Sequence, residues 1–185
     1  RVLEVKWLAN NEDLIFSQTY KGFPNWFKIS AKGGEISQIT KDLASNRKID
    51  FDSKRTKAVY LSGSRELKLL DLKSLNSKTL VEDEFWAFQN SAPSFSPDGN
   101  YVLFTAMRNF EQDVFVHHIA SNKTYNLTET RVSESQPNWS PDGKYIYFTS
   151  NRTTPAYPFG MQNTSIYSLA LDWYAEDFEK SAFEA

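Results

Sequence analysis

The sequence predicts an all-β fold, a β-propeller with four blades of about four antiparallel strands each. Three observations predict it. First, Trp7, Phe51, Phe95 and Trp139 stand 44 residues apart, and nine residues after each stands another aromatic: Phe16, Tyr60, Phe104 and Phe148. Second, two periods are nearly the same sentence. Ala92-Pro-Ser-Phe-Ser-Pro-Asp-Gly-Asn-Tyr-Val-Leu-Phe-Thr aligns with Gln136-Pro-Asn-Trp-Ser-Pro-Asp-Gly-Lys-Tyr-Ile-Tyr-Phe-Thr. Third, each period divides into short runs rich in β-branched and aromatic residues, separated by turn residues every ten or so positions. A period near 44 with strand-type alternation marks a propeller blade rather than a solenoid of helix pairs.

The elements follow in order within each period. Tyr101-Val-Leu-Phe-Thr105 and Tyr145-Ile-Tyr-Phe-Thr149 are apolar on both alternations, so both faces of that strand need cover. Asp113–Ile119, with counterparts at Trp26–Ser30, Leu67–Leu72 and Ser165–Leu171, is a third strand type. Thr124–Thr128 and Glu35–Thr40 are a fourth. In Ser96-Pro-Asp-Gly99 and Ser140-Pro-Asp-Gly143, Pro sets φ at the first corner. Asp98 and Asp142 suit the bridge region, and Gly99 and Gly143 can take positive φ where the next strand begins. Asn10-Asn11 does this in the first period and Ser53–Thr56, a weaker turn, in the second.

A lone four-stranded blade cannot bury both its faces, so blades must pack on one another. The eight periodic aromatics are therefore expected as wedges between blades, each burying on the order of 150–250 Å². The blades are expected to run through residues 1–171. Residues 172–185, acidic and without strand alternation, read as an exit segment, a linker or a helix. The fourth blade then lacks its outer strand. The opening Arg1-Val-Leu-Glu, with no Met and no leader, suggests a piece of a longer chain, and the four blades an arc of a larger ring. Unpaired faces at the ends of such an arc favour self-association.

Composition narrows the function. The 21 Lys and Arg against 23 Asp and Glu leave a net charge of −2, without the basic patch that nucleic acid requires. The longest apolar runs are a handful of residues, so no membrane insertion is expected. There is no Cys and there are two His, so no metal site and no cofactor is expected. His117 and His118 are adjacent on a strand and point to opposite faces, so they cannot serve one site together. No Gly-x-Ser-x-Gly elbow, His-Glu-x-x-His or phosphate-cradling loop occurs. No residue is assigned a catalytic role. Glu82-Asp-Glu84 and Glu111 with Asp113 read as solvated acidic loops.

The candidate working surface is the ring of loops that enter the innermost strands. Its residues are Arg47 and Lys48, Gln89 and Asn90, and Glu134 and Gln136, a mixed rim suited to the backbone and terminal charges of extended peptides. An insertion bearing Tyr157, Phe159 and Met161 is a second candidate contact. On this reading Glu134 is a surface residue, and Trp139→Ala is expected to destabilise far more than Glu134→Ala.

The order Pro-x-aromatic-Ser-Pro-Asp-Gly, then Tyr145-Ile-Tyr-Phe-Thr-Ser-Asn-Arg152, then Ile166-Tyr167, with Leu127-Thr128 in the third period, resembles a known blade. It is the WD-repeat-like blade of the TolB translocation protein and of the amino-terminal propellers of tricorn-type serine proteases. The stretch Ser150–Arg152 before a long insertion, and the exit into Glu176-Asp-Phe-Glu-Lys-Ser-Ala-Phe183, lean toward the tricorn type. That resemblance implies the last four blades of a six-bladed propeller. It implies a non-catalytic module that gates or guides peptides and positions catalytic domains absent from this sequence. The partners it implies are peptides or other domains of a parent protease. The TolB alternative implies a periplasmic protein-interaction scaffold. The compartment, cell envelope or cytoplasm, stays open.

Overall fold

The computed structural model describes residues 2–86, 92–153 and 164–171. The expected segment 172–185, Gln89 and Asn90, and the insertion with Tyr157, Phe159 and Met161 lie outside the described residues. Fifteen strands form four antiparallel sheets, and there is no helix among the described residues. Blade 1 is β1 (Val5–Trp7), β2 (Asp13–Tyr20), β3 (Phe23–Ser30) and β4 (Ser37–Gln38). Blade 2 is β5 (Asn46–Phe51), β6 (Lys57–Ser62), β7 (Glu66–Asp71) and β8 (Ser77–Glu82). Blade 3 is β9 (Ser94–Phe95), β10 (Tyr101–Arg108), β11 (Glu111–His118) and β12 (Lys123–Asn126). Blade 4 is β13 (Glu134–Trp139), β14 (Tyr145–Ser150) and β15 (Ser165–Ala170), three strands among the described residues. Strands follow one another in space as in sequence within every sheet.

The repeat is visible in the register itself. Trp7, Phe51, Phe95 and Trp139 each pair with the residue seven further on: Leu14, Ala58, Val102 and Ile146. The turns between first and second strands close alike. Leu8, Asp52, Ser96 and Ser140 each donate their N–H to the carbonyl five residues on, at 2.8–3.1 Å. In blades 3 and 4, Gly99 and Gly143 take φ of 74° and donate to Ser96 and Ser140 carbonyls at 2.8 and 2.9 Å. The serine hydroxyl donates to the aspartate two residues on, at 2.5 Å in both turns. The second period solves the same corner with different residues. Its turn begins at Asp52, one residue before the Ser53–Thr56 stretch, and the Asp52 carboxylate takes the Thr56 and Lys57 N–H groups, at 2.7 and 2.8 Å. Arg55 occupies the positive-φ position, 50°, and its guanidinium donates to the Trp7 carbonyl at 2.7 Å across the blade joint.

Three apolar clusters fill the three joints. Between blades 1 and 2, Ile15, Trp26 and Ile39 meet Ile49, Ala58, Tyr60 and Leu70, with the Trp26 and Tyr60 rings edge-on at 6.3 Å. Between blades 2 and 3, Phe85, Phe95, Phe104 and Phe115 meet Val59, Leu61, Leu67 and Leu69. Between blades 3 and 4, Leu103 and Val114 meet Ile146 and Phe148, with Trp139, Tyr167 and Leu169 at the margin. Tyr60, Phe95, Phe104 and Phe148 are buried at these joints, and Phe51 and Trp139 are half-buried beside them. Phe16 is buried against Phe27, ring centroids 5.9 Å apart. Trp7 departs from the wedge expectation: it is 48% exposed. It shares the register of the other three, but among the described residues no blade packs against its side of blade 1.

Candidate functional site

The innermost strands of all four blades converge on one groove of about 470 Å³. Its lining repeats with the fold. Glu4, Lys48, Ala92 and Gln136 stand at one position of the period, and Lys6, Asp50, Ser94 and Asn138 at another two residues on. Ile49, Pro93 and Pro137 stand between them. Bulges interrupt the pairing of β5 between Arg47 and Asp50 and of β13 between Ser135 and Asn138. Lys48 and Gln136 sit in those bulges with φ of 58° and 52°. A bulge bends its strand and re-aims a side chain, which suits a site built on a sheet edge.

The groove carries charge of both signs. The Lys48 N–H donates to Glu4 Oε2 at 3.2 Å, tying blade 2 to blade 1. The Phe95 N–H donates to Asp50 Oδ2 at 3.2 Å, tying blade 3 to blade 2. Burial pushes the Asp50 carboxyl above its usual range, against the opposing pull of the Phe95 and Phe51 N–H groups and the Lys6 and Arg55 charges. This wall of alternating cations, carboxylates and amides can hold polar backbone and terminal charges, while its prolines and Ile49 meet apolar side chains.

The expected rim residues separate into two kinds. Lys48 and Gln136 line the groove. Arg47 does not: it lies half-buried, and its guanidinium donates to the Gly63 carbonyl and, at 2.8 Å, to the Phe85 carbonyl. It clamps the β6–β7 turn to the loop leading into blade 3. Glu134 does not line the groove either. It is fully buried, and one carboxylate oxygen accepts from Thr130 Oγ1 at 2.6 Å, Arg152 at 2.9 Å and Ser150 Oγ at 3.3 Å. The residue after a strand's first position alternates to the other face, so neighbours that look alike in a loop reading part company once the strand begins. Glu4, Lys6, Asp50 and Asn138 were missed. The signal that finds them is the 44-residue phase, which aligns each with Lys48 or Gln136 or stands two residues away.

The histidines lie away from the groove on β11. His117 is buried with Nδ1 2.9 Å from Thr124 Oγ1. His118 Nδ1 is 2.7 Å from Ser121 Oγ, and its ring lies on Tyr101 at 4.7 Å. The acidic runs are largely engaged: Arg108 pairs with both Asp83 oxygens at 2.5 and 2.7 Å, Glu111 accepts from Ser133, and Asp113 is buried against Asn126. Among the described residues no group of three or more His, Asp or Glu is arranged to hold a metal ion.

His117 sets a pH dependence. Burial, then the His118 and Lys78 charges, pushes its pKa below the ordinary histidine range. The unfolded chain therefore binds its proton more readily than the fold does. The stabilisation is complete above the unfolded pKa, near 6.5, and is lost as pH falls through the lower folded value. Urea midpoints measured between pH 7.5 and 5 should fall more in the native chain than in His117→Gln. Parallel curves would remove His117 as the cause.

The comparisons with known proteins agree with this architecture. A family profile for the TolB beta propeller domain matches residues 52–172. No curated protein sequence matches the chain. Among solved structures, TolB from Acinetobacter baumannii is 19% identical over 87% of this chain and 39% of its own, with a TM-score of 0.63. The tricorn protease is 14% identical over 92% of this chain and 18% of its own, with a TM-score of 0.72. A putative TolB from Agrobacterium tumefaciens is 15% identical over 88% of this chain and 58% of its own, with a TM-score of 0.62. The chain thus spans less than two thirds of each. At these identities the likeness establishes the fold.

Proposed function

Because this chain belongs to the TolB beta propeller domain family, we propose that it is a non-catalytic binding module whose central groove holds extended protein segments. In the tricorn-type reading it gates or guides peptides for a serine protease and positions the catalytic domains. The observation that carries the proposal is the groove wall, where Glu4, Lys6, Lys48, Asp50 and Asn138 present both charges and an amide in one cavity. Such a wall suits a partner that offers backbone groups and both kinds of charge, as an extended peptide does. The likeness in structure to the tricorn protease favours that setting. The family profile supports the TolB-like propeller fold, and with it a second setting, a TolB-like protein-interaction scaffold. In both the module binds and does not react.

The test is fluorescence anisotropy with a labelled, unstructured peptide that carries Lys, Glu and both free termini. Saturable binding by the native chain is expected, weakened about tenfold or more by Lys48→Glu, a loss of about 1.4 kcal/mol. The peptide should emerge uncleaved. Equal affinity of the native chain and Lys48→Glu would remove the groove as the site. Binding only of folded domains, with no affinity for the free peptide, would favour the scaffold setting over the protease.

A further inference from the structure

We propose that the cavity between the Ser96–Gly99 and Ser140–Gly143 turns is a seat for the guanidinium of an arginine from a partner protein. Two periods earlier, the chain fills the same place itself. At the joint of blades 1 and 2, Arg55 reaches back from its turn. Its guanidinium lies over the Phe51 ring at 5.8 Å and donates to the Trp7 carbonyl at 2.7 Å. Leu8 and Leu72 pack beside Phe51 against the core of that joint. The repeat carries these positions to the joint of blades 3 and 4. There Trp139 stands at the place of Phe51, Gly143 at that of Arg55 and Ser96 at that of Leu8. Leu171 keeps the place of Leu72, since their N–H groups donate to the equivalent Lys144 and Thr56 carbonyls at 2.9 and 3.0 Å. A glycine and a serine thus replace two large side chains. A cavity of about 390 Å³ opens, walled by Tyr101, Val116, Trp139 and Leu171 and lined also by Asp98 and Asp142.

The charge changes in step. At the joint that holds Arg55, the two turn corners carry Asn10 and Lys54; at the joint that holds Gly143, they carry Asp98 and Asp142. Asp142 makes its turn bonds, from Ser140 Oγ and the Lys144 N–H, through Oδ1. These bonds hold its carboxyl below the usual range. Neither aspartate forms an ion pair among the described residues. An indole face beside two carboxylates suits a cation that is planar and donates from its edge. Trp is the ring that attracts cations most strongly, and a guanidinium stacks on it better than an ammonium does. The described arginines of this chain do not supply that group. Arg47, Arg55, Arg108 and Arg152 are engaged elsewhere. Arg65 and Arg131 stand on loops at the opposite ends of the strands, and residues 172–185 contain no arginine.

Titration of the nitrogen-15-labelled chain with N-acetyl-arginine amide, followed by NMR, tests the seat. The Gly143 amide and Trp139 indole signals are expected to move saturably, with a midpoint on the order of 1–10 mM. The neutral isostere N-acetyl-citrulline amide should bind about tenfold more weakly, and N-acetyl-lysine amide more weakly than the arginine probe. Asp98→Asn with Asp142→Asn should also weaken the arginine probe about tenfold. The turns tolerate that change, because Asn10 caps the equivalent turn through its own Oδ1. Gly143→Arg should abolish the response by seating its own guanidinium. Its Cβ would meet Pro97 at 3.5 Å, an ordinary contact, and Arg55 holds a positive φ at the same place. Should Gly143→Arg fail to fold, the double asparagine variant still decides. Signals that stay fixed at about 50 mM probe overturn the proposal. So does equal binding of the citrulline or lysine probe, or an unchanged midpoint in the double variant. The seat shares no residue with the central groove, so Lys48→Glu should leave the titration unchanged.

Discussion

Phe104→Ala is expected to lower the stability of the fold by about 3–5 kcal/mol, the usual cost of deleting a large ring from a core that cannot collapse around the gap. Phe104 is 1% exposed at the joint of blades 2 and 3. It stacks on Phe115 at 5.5 Å and meets the edge of Phe85 at 5.8 Å. Those three rings come from β10, β11 and the loop between blades, so the gap would open a joint as well as a sheet. Denaturant titration of the purified chain measures the change. The control is Trp7→Ala, at a first-strand position of the same repeat. Because Trp7 is 48% exposed, its removal in a monomeric sample should cost under about 1 kcal/mol. Equal losses in the two variants would mean that register, and not burial at a joint, decides what a periodic aromatic contributes.

Glu134→Ala is expected to cost about 1.5–3 kcal/mol, the range for losing hydrogen bonds to a charged group, since Glu134 is fully buried while its partner Arg152 keeps a third of its side chain exposed. The carboxylate takes Thr130, Ser150 and Arg152 on one oxygen, and its other oxygen is buried without a hydrogen-bond partner among the described residues. Its removal orphans the Arg152 guanidinium, which also lies over the rings of Phe148 and Tyr167 at 5.1 and 4.7 Å. The loss would therefore spread into the joint of blades 3 and 4. Glu134→Gln keeps the shape and part of the hydrogen bonding, so it should cost less than Glu134→Ala. A surface-like loss, within about 0.5 kcal/mol for Glu134→Ala, would falsify the buried-pair assignment. This narrows the gap between the two variants expected from the sequence. Trp139 is only half-buried, its indole N–H donating to the Ser94 carbonyl at 3.4 Å, so Trp139→Ala should not stand far above Glu134→Ala.

The position of Glu134 explains why two of the four described rim residues, Arg47 and Glu134, lie off the groove. Asn46 stands at the same phase, two periods earlier, and is also buried. Its amide donates to Thr40 Oγ1 at 3.0 Å and Asp42 Oδ2 at 2.9 Å, and Lys68 closes the network on Asp42 Oδ1 at 2.9 Å. Thr40 and Thr128 each take the N–H of a third-strand residue, Trp26 and Val114, at 2.9 and 3.1 Å. Polar residues at the start of an innermost strand thus serve as latches between the blade and the preceding loop. A polar side chain in a loop reading carries no mark that tells a latch from a contact surface. Only its partners do, and these lie between 4 and 18 residues away in sequence.

The 44-residue recurrence by itself determined the strand count, the order of the sheets, the turn positions and the inward place of most rings. All of these follow from local conformational preference and from the need of a two-faced apolar sheet to be covered on both sides. The tertiary structure alone decided which equivalent positions are equivalent in environment. Trp7 and Phe95 share a register yet differ in exposure because one has a neighbouring blade and the other has none among the described residues. Arg47 and Lys48 are adjacent yet face a clamp and a groove, because a bulge in β5 turns the chain between them. Burial and orientation depend on what lies across a joint, and one period of sequence carries no record of its neighbour's atoms.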